Sequence, residues 1–341
     1  MKKIYGIILA LLLGLNLQTF ATDIEVQPTM FSRSNAQDRV WVGTFQLVWN
    51  NFIDKVVYNP VRFREGTPMI VHELNRQSFT EDDLSDKAYY TYVGKVTKNT
   101  KKQITKAIKK KFKETSDLLD KFDLTPRNDK YFIYAMLKKD FEFVNEFNNL
   151  GKSVFGEDDT AEYFGIDKKS DNDLCKGVRV LFYNSHKDYA VALKTKDNED
   201  VYLYKNGANK SFNYLYADML KKEKAFEGEK EFRDIDELKV PNIKFFVEKS
   251  FDELAGKRIM GTNLVIDKAM ETVKFNMNNK GVELKSEAAM DIMRCSLPDP
   301  DKAVPRMFFY DDTFVIFLKE KKSKNPYFAL RVNDITKFQG E

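Results

Sequence analysis

Two neighbouring residues near the C-terminus, Arg294 and Cys295, are the first candidates for chemistry in this chain. A cation beside a thiol favours the thiolate, which is the nucleophilic form of cysteine. A catalytic thiolate also needs a base, but the two histidines, His72 and His186, lie far from Cys295 and from each other in sequence. The residues therefore favour an exposed loop thiol, and we predict no catalytic residue.

Motifs of other enzyme chemistries are missing from the sequence. It contains no Gly-x-Ser-x-Gly elbow, no Walker loop, no glycine-rich dinucleotide turn and no His-Glu-x-x-His pair. Carboxylates are scattered along the whole chain, so a glycosidase pair can be neither picked out nor excluded. We predict that the protein is not an enzyme and has neither a metal site nor a cofactor.

The segment 281–298, GVELKSEAAMDIMRCSLP, has the most informative pattern. From Val282 to Ile292 the even positions are mostly apolar or small, and the odd positions are mostly charged. This alternation is typical of a half-buried strand. The segment nevertheless begins at Gly281 and runs into Ser-Leu-Pro-Asp-Pro, which indicates an exposed loop. It is therefore a candidate for an element that can be either strand or loop.

The N-terminus predicts an exported protein. Lys2 and Lys3 precede the short apolar run 7–15, and small residues occupy positions 19 and 21. These features are typical of a signal peptide, here residues 1–21 with cleavage after Ala21. We expect a secreted or periplasmic product, because no other segment is long and apolar enough to span a membrane.

Composition limits the remaining function classes. The 341 residues carry 56 Lys and Arg against 52 Asp and Glu, a net charge of +4, which gives no reason to expect nucleic-acid binding. After the signal peptide we predict a loose N-terminal arm at 22–38 and a single domain at 39–341. We expect a monomer in which both cysteines, Cys175 and Cys295, are free.

Periodicity predicts a mixed α+β chain whose second half is rich in antiparallel strands. Helices are expected at 39–57, 99–122 and 212–222, and a helical turn at 251–255. Strands are expected at 89–93, 130–137, 178–183, 189–194, 200–204, 239–247, 272–277, 314–318 and 327–332.

Lysines cover the exposed face of the second predicted helix. Four of them are candidates for binding a polyanionic glycan: Lys101, Lys102, Lys109 and Lys110. A solvated helix face explains the same run without any ligand, and we favour that interpretation.

The order of these elements resembles the serpin family. The segment 101–122 resembles its long helix across the main sheet, and 130–147, KYFIYAMLKKDFEFVNEF, its central strand. Segments 240–254 and 272–283 resemble the strand with its Asp-led turn and the hinge of the reactive-centre loop. The C-terminal FVIFLKEKKSKNPYFALRVND resembles the two closing strands.

The resemblance implies a serpin-like fold with a large antiparallel-rich sheet and a cleavable bait loop at 281–298. Its hinge would be Gly281, Val282, Glu283 and Leu284. Counting from Gly281 places the reactive bond at Cys295–Ser296, or at Arg294–Cys295 after a slip of one residue. Arginine would suit a trypsin-like protease, so a serine or cysteine protease is the implied partner.

Three functions remain open at this stage. The chain could be a protease inhibitor, because the alternation directs its charges outward if the loop inserts into the sheet. It could instead be a non-inhibitory binding protein, because Val282, Leu284 and Lys285 are larger than the small residues of inhibitory hinges. The third alternative is a surface protein whose loop traps nothing.

Overall fold

The computed structural model describes residues 24–127, 130–283 and 305–340. The signal peptide and most of segment 281–298 therefore lie outside the described residues. The strands are β1 (Glu25–Gln27), β2 (Arg39–Val42), β3 (Tyr89–Lys95), β4 (Tyr131–Leu137), β5 (Asp140–Glu142), β6 (Asn148–Phe155), β7 (Asp159–Ile166), β8 (Val178–Ser185), β9 (Asp188–Lys194), β10 (Glu199–Lys205), β11 (Glu237–Pro241), β12 (Ile243–Ser250), β13 (Met270–Asn278), β14 (Gly281–Glu283), β15 (Met307–Phe309), β16 (Phe314–Glu320) and β17 (Phe328–Val332). The α-helices are α1 (Thr44–Phe52), α2 (Met69–Leu74), α3 (Thr100–Phe112) and α4 (Phe212–Ala225).

The largest sheet has seven strands in the order β1-β2-β17-β16-β10-β9-β8. All of its pairs are antiparallel except β1 with β2. Strand β17 is buried along its whole length, because both faces of the sheet are covered. Helix α4 covers one face, where Tyr216 packs edge-on against Phe317 at 5.1 Å between ring centroids. The predicted α+β architecture with antiparallel strands is confirmed.

A second layer packs against the other face of this sheet. It contains the four-stranded sheet β12-β13-β14-β5 and the antiparallel pair β3-β4. The contact includes Phe275 of β13 stacked on Phe328 of β17, 4.6 Å between centroids. The apolar run of β4 predicts a central strand buried on both faces, but among the described residues it pairs with β3 alone, and Tyr131 is exposed. Phe132 and Tyr134 belong to the cluster under α3, and Ala135 belongs to the main core.

The predicted N-terminal arm at 22–38 contains a short strand and is otherwise irregular in its described part. Residues Glu25–Gln27 form the edge strand β1, parallel to β2, and Val26 is buried against the core. Apolar side chains at Ile24 and Val26 provide the burial that holds this short strand in place. The seven-stranded sheet therefore starts before residue 39.

The first two predicted helices were too long. The segment 39–57 begins as strand β2 and becomes helical only at Thr44, because Arg-Val-Trp-Val pairs with β17. The segment 99–122 leaves the α-helix at Phe112, where Lys113 adopts a left-handed conformation with φ 61°. A short 3-10 turn at Leu119–Lys121 follows.

The third sheet, β15-β11-β7-β6, contains a hairpin that sequence periodicity did not indicate. Strand β6 is exposed over most of its length, so its sequence, NNLGKSVF, lacks an apolar alternation. The predicted strand 239–247 is in fact two strands in different sheets, β11 and β12, separated at Asn242.

Candidate functional site

The hinge residues Gly281, Val282 and Glu283 form strand β14, which lies between β13 and β5. Val282 pairs with Met277 on one side and Phe141 on the other, and its side chain is fully buried. The backbones approach so closely here that a Cβ on Gly281 would lie 2.2 Å from the carbonyl oxygen of Phe141. The start of the predicted loop is thus a tightly seated strand.

A groove lies beyond Glu283, the last described residue of β14. Strand β13 continues from Phe275 back to Met270, and the opposite wall is β4, which precedes β5. Among the described residues, β4 pairs with β3 and this part of β13 pairs with β12, so no described strand joins the two facing edges. A space of about 760 Å³ lies along these edges and extends to the segment 114–118. We name it the β4–β13 groove.

Helix α1 forms the apolar floor of the β4–β13 groove. Four of its side chains line the space: Phe45, Val48, Trp49 and Phe52. Their spacing is the helical stripe expected from the sequence. Ile133 and Ala135 of β4 and Val273 of β13 line the walls, so most of the interior is apolar.

Charged side chains also line the groove, and Glu271 is the buried one among them. Its residue is 3% exposed, and neither carboxyl oxygen has a hydrogen-bond partner among the described residues. Burial raises the pKa of Glu271 to about 8, because a carboxylate loses its hydration in such surroundings. The backbone N–H of Phe45, in the first turn of α1, opposes part of this rise without reaching hydrogen-bond geometry.

A buried ionic cluster lies at the junction of β4 and β5. Lys139, between β4 and β5, donates to Glu199 of β10 at 2.6 Å and also to Glu320 of β16. Glu320 accepts a further bond from the backbone N–H of Ser85 at 2.9 Å. Burial raises the pKa of Glu199, whereas the bonds from Lys139 and Ser85 keep the pKa of Glu320 below its usual value. This cluster connects the groove wall to the seven-stranded sheet.

The structure brings together the hinge and the groove but not the other predicted site residues. Leu284 and the reactive-bond residues Arg294, Cys295 and Ser296 lie outside the described residues. Cys175 is a free, half-buried thiol, as expected.

The four candidate lysines for polyanion binding lie on α3, on the far side of β4 from α1. Lys101, Lys102, Lys109 and Lys110 are all exposed, and Lys101 is paired with Asp120. Their polyanion binding stays a prediction.

Sequence reasoning missed Glu271, although a signal was present. In β13 the residues of one face are Glu271, Val273, Phe275 and Met277, so the carboxylate occupies a position of the apolar set. A charged residue at such a position is a candidate for a buried group. No local sequence pattern predicts the groove, because the strands that form its walls are more than 100 residues apart in sequence.

Other kinds of site are not found in the part of the chain that the structure describes. There, no group of three or more His, Cys, Asp or Glu side chains converges as a metal site. Within the same ranges, no helix has the length and apolar character needed to cross a bilayer.

Comparison with known proteins gives matches among solved structures alone. No family model and no curated protein matches the chain. One matching structure is Serpin48 from the insect Tenebrio molitor, at 14% identity and a TM-score of 0.43, with 73% of this chain and 77% of that chain covered. Another is thyroxine-binding globulin in complex with thyroxine, at 15% identity and a TM-score of 0.43, with 71% of this chain and 65% of that chain covered. Both of these structures are serpins, and a serpin-like fold is what the sequence also resembles.

Proposed function

We propose that the chain is an exported inhibitor of a trypsin-like serine endopeptidase, acting through a cleavable bait loop at 281–298. The observation that supports it is the position of β14, whose last described residue, Glu283, lies next to the β4–β13 groove, where no described residue pairs the two edges. Unpaired strand edges that face each other are sites for strand addition. We therefore expect the residues that follow Glu283 in sequence to insert into this groove once the loop is cut.

The register of β14 supports insertion with the correct face inward. Val282 is buried, and side chains of a strand alternate between faces. Continuing β14 in the same register directs the even positions inward and the odd positions outward. The inward set would be Leu284, Ser286, Ala288, Met290 and Ile292. The outward set would be Glu283, Lys285, Glu287, Ala289 and Asp291.

The neighbours in this register also fit by size. Extending the observed pairs places Ala288 opposite Glu271 of β13 and Ala135 of β4. A small residue would therefore meet the buried carboxyl. Ser286 would lie between Val273 and Leu137, next to the same carboxyl on the diagonal, where a hydroxyl can donate to it.

The protease would be trapped because the cut loop inserts before the acyl-enzyme is hydrolysed. A protease that cuts at Arg294–Cys295 or Cys295–Ser296 forms an acyl-enzyme on the freed segment. Insertion adds backbone hydrogen bonds on two edges and buries apolar side chains, so it draws the bound protease away before hydrolysis. The uncut protein must then be held in a less stable state by a kinetic barrier.

The test is incubation of the purified mature protein with trypsin and, separately, with a cysteine protease. An adduct that survives a denaturing gel is the expected result, and Arg294→Ala should reduce its formation with trypsin. Cleavage of the loop without any adduct for either protease would overturn the inhibitor proposal.

A second function, a non-inhibitory serpin-fold binding protein, is favoured by the side chains of the hinge. Val282 is already buried between two strands, and Leu284 and Lys285 are large for rapid insertion. If this function is correct, trypsin will cut the loop without forming an adduct, and the groove will serve a ligand instead.

Export is part of the proposal and has its own test. The basic start and the apolar run 7–15 of the sequence support it. Expression of the full chain in a secreting bacterial host should yield a mature product that begins at Thr22. A cell-associated product that retains Met1 would contradict it.

A further inference from the structure

We propose that the β4–β13 groove binds an apolar small molecule carrying one ammonium group, whose cation pairs with the carboxylate of Glu271. This function differs from the bait loop, since it concerns the intact protein and a ligand from solution. Two observations carry it together: an apolar space of about 760 Å³ and a buried, unpartnered carboxyl that lines it.

The walls of the groove determine the apolar part of the ligand. The aromatic rings of Phe45, Trp49 and Phe52 and the aliphatic side chains of Val48 and Ile133 line it. Sites for small molecules are mostly apolar cavities of about 300–1,000 Å³ in which a few polar groups fix the orientation. The β4–β13 groove has this size and composition.

Glu271 determines the polar part. A buried polar atom without a partner is destabilising, more so when it is charged, so a native structure rarely leaves one unsatisfied. Both oxygens of Glu271 lack a partner among the described residues. An ammonium group supplies up to three N–H donors together with the opposite charge, and so it satisfies both oxygens at once.

Other charged side chains line the groove as well, but Glu271 is the buried one among them. Lys138 is committed to Glu114 at 2.9 Å and to Asp140 at 2.7 Å. Asp267 and Lys268 are exposed to solvent, where their charges are screened. Glu271 is therefore the charged group that a ligand meets inside the groove.

The experiment uses the intact mature protein and two probes of equal shape, 4-phenylbutylamine and 4-phenylbutyrate. Binding is measured at about pH 9, where Glu271 is ionised and the amine is still charged, by isothermal titration calorimetry and by the fluorescence of Trp49, which lines the groove. We expect the amine to bind at least about 10-fold more tightly than the acid, the ratio that one charged hydrogen bond gives. Equal affinities, tighter binding of the acid or no binding of either probe would overturn the proposal.

Three variants test the location of the site. Glu271→Gln keeps the shape of the side chain and should remove the preference for the amine. Asp267→Asn removes a carboxylate at the exposed rim and should leave the preference unchanged. Thermal unfolding of each variant checks that it is folded, and Trp49→Phe, which retains an aromatic wall, should abolish the fluorescence response while calorimetry still detects binding. A preference that survives in Glu271→Gln would contradict the assignment.

The amine-binding proposal and the inhibitor proposal are tested by independent measurements. Adduct formation is scored on gels without any ligand, and amine binding is scored without any protease. If both proposals are correct, cleavage of the loop will also abolish amine binding, because the inserted strand will fill the same groove.

Discussion

At the scale of single residues, Glu271 makes the stability of the protein depend on pH. Its pKa rises from 4.5 to about 8 on folding, so the folded protein binds the proton more tightly than the unfolded chain does. The stabilisation is therefore complete below the unfolded pKa and is lost as the pH rises towards about 8. Each unit of pKa shift corresponds to about 1.4 kcal/mol.

We predict that the free energy of unfolding of the wild type falls by a few kcal/mol between about pH 5 and about pH 8. Glu271→Gln should flatten this dependence, because the amide does not titrate. Denaturant unfolding over the pH series, for both proteins, measures the difference. Parallel curves would show that Glu271 does not titrate in this range.

Gly281 is the second residue that can be tested alone. A methyl group there would collide with the carbonyl oxygen of Phe141, and backbone atoms cannot move aside as a side chain can. We predict that Gly281→Ala loosens β14 and costs about 1–3 kcal/mol of stability, the range found for overpacking. Gly207→Ala is the matched control, because the space around its Cβ is open. Equal melting temperatures for the two variants would contradict the tight seating of β14.

At the scale of elements, Lys139 connects the junction of β4 and β5 to the seven-stranded sheet. Removal of Lys139 would leave the buried carboxylates Glu199 and Glu320 facing each other. We predict that Lys139→Ala costs about 3–5 kcal/mol, the usual penalty for breaking a buried ion pair. Lys196→Ala breaks the exposed pair with Glu142 and should cost less than about 1 kcal/mol. Similar losses in denaturant unfolding of the two variants would contradict the role of Lys139.

Sequence periodicity predicted those elements whose burial is one-sided or complete. The stripe of α1 and the apolar runs of β4, β16 and β17 stand out because tertiary packing and local pattern agree there. Sequence periodicity failed to predict elements in which tertiary packing and the local sequence pattern disagree. Strand β2 is only four residues long and runs directly into α1, so a helical period appeared to cover both. Strand β6 faces solvent and shows no pattern.

Part of the candidate site was predictable from the sequence, because the local pattern and the packing agree there. The alternation from Val282 indicated a strand, and Gly281–Glu283 are one. The groove beside it depends on β4 and β13, which lie far apart in sequence, and on the floor supplied by α1. A single sequence does not reveal which strands stay unpaired. Glu271 alone could have been found from the sequence, because it is a charged residue at a position of the apolar face of β13.

At the scale of the whole molecule, the proposed bait loop predicts a gain of stability after cleavage. Insertion of 284–292 would join β14 and the two groove walls into one continuous sheet. We therefore expect a clear rise in melting temperature when the loop is cut. The rise should appear whether or not a protease is trapped, because it depends on insertion and not on its speed.

A pair of variants tests the register of this insertion. Ala288→Glu places a second carboxyl at an inward position, opposite Glu271 and Ala135, so it should abolish the rise in melting temperature. Ala289→Glu places the same side chain at the neighbouring outward position, so it should preserve the rise. Each variant is cut by trypsin, and its cleavage sites are identified by mass spectrometry before differential scanning calorimetry. If both glutamates suppress the rise equally, the even positions do not face inward, and the strand register that extends from Val282 is wrong.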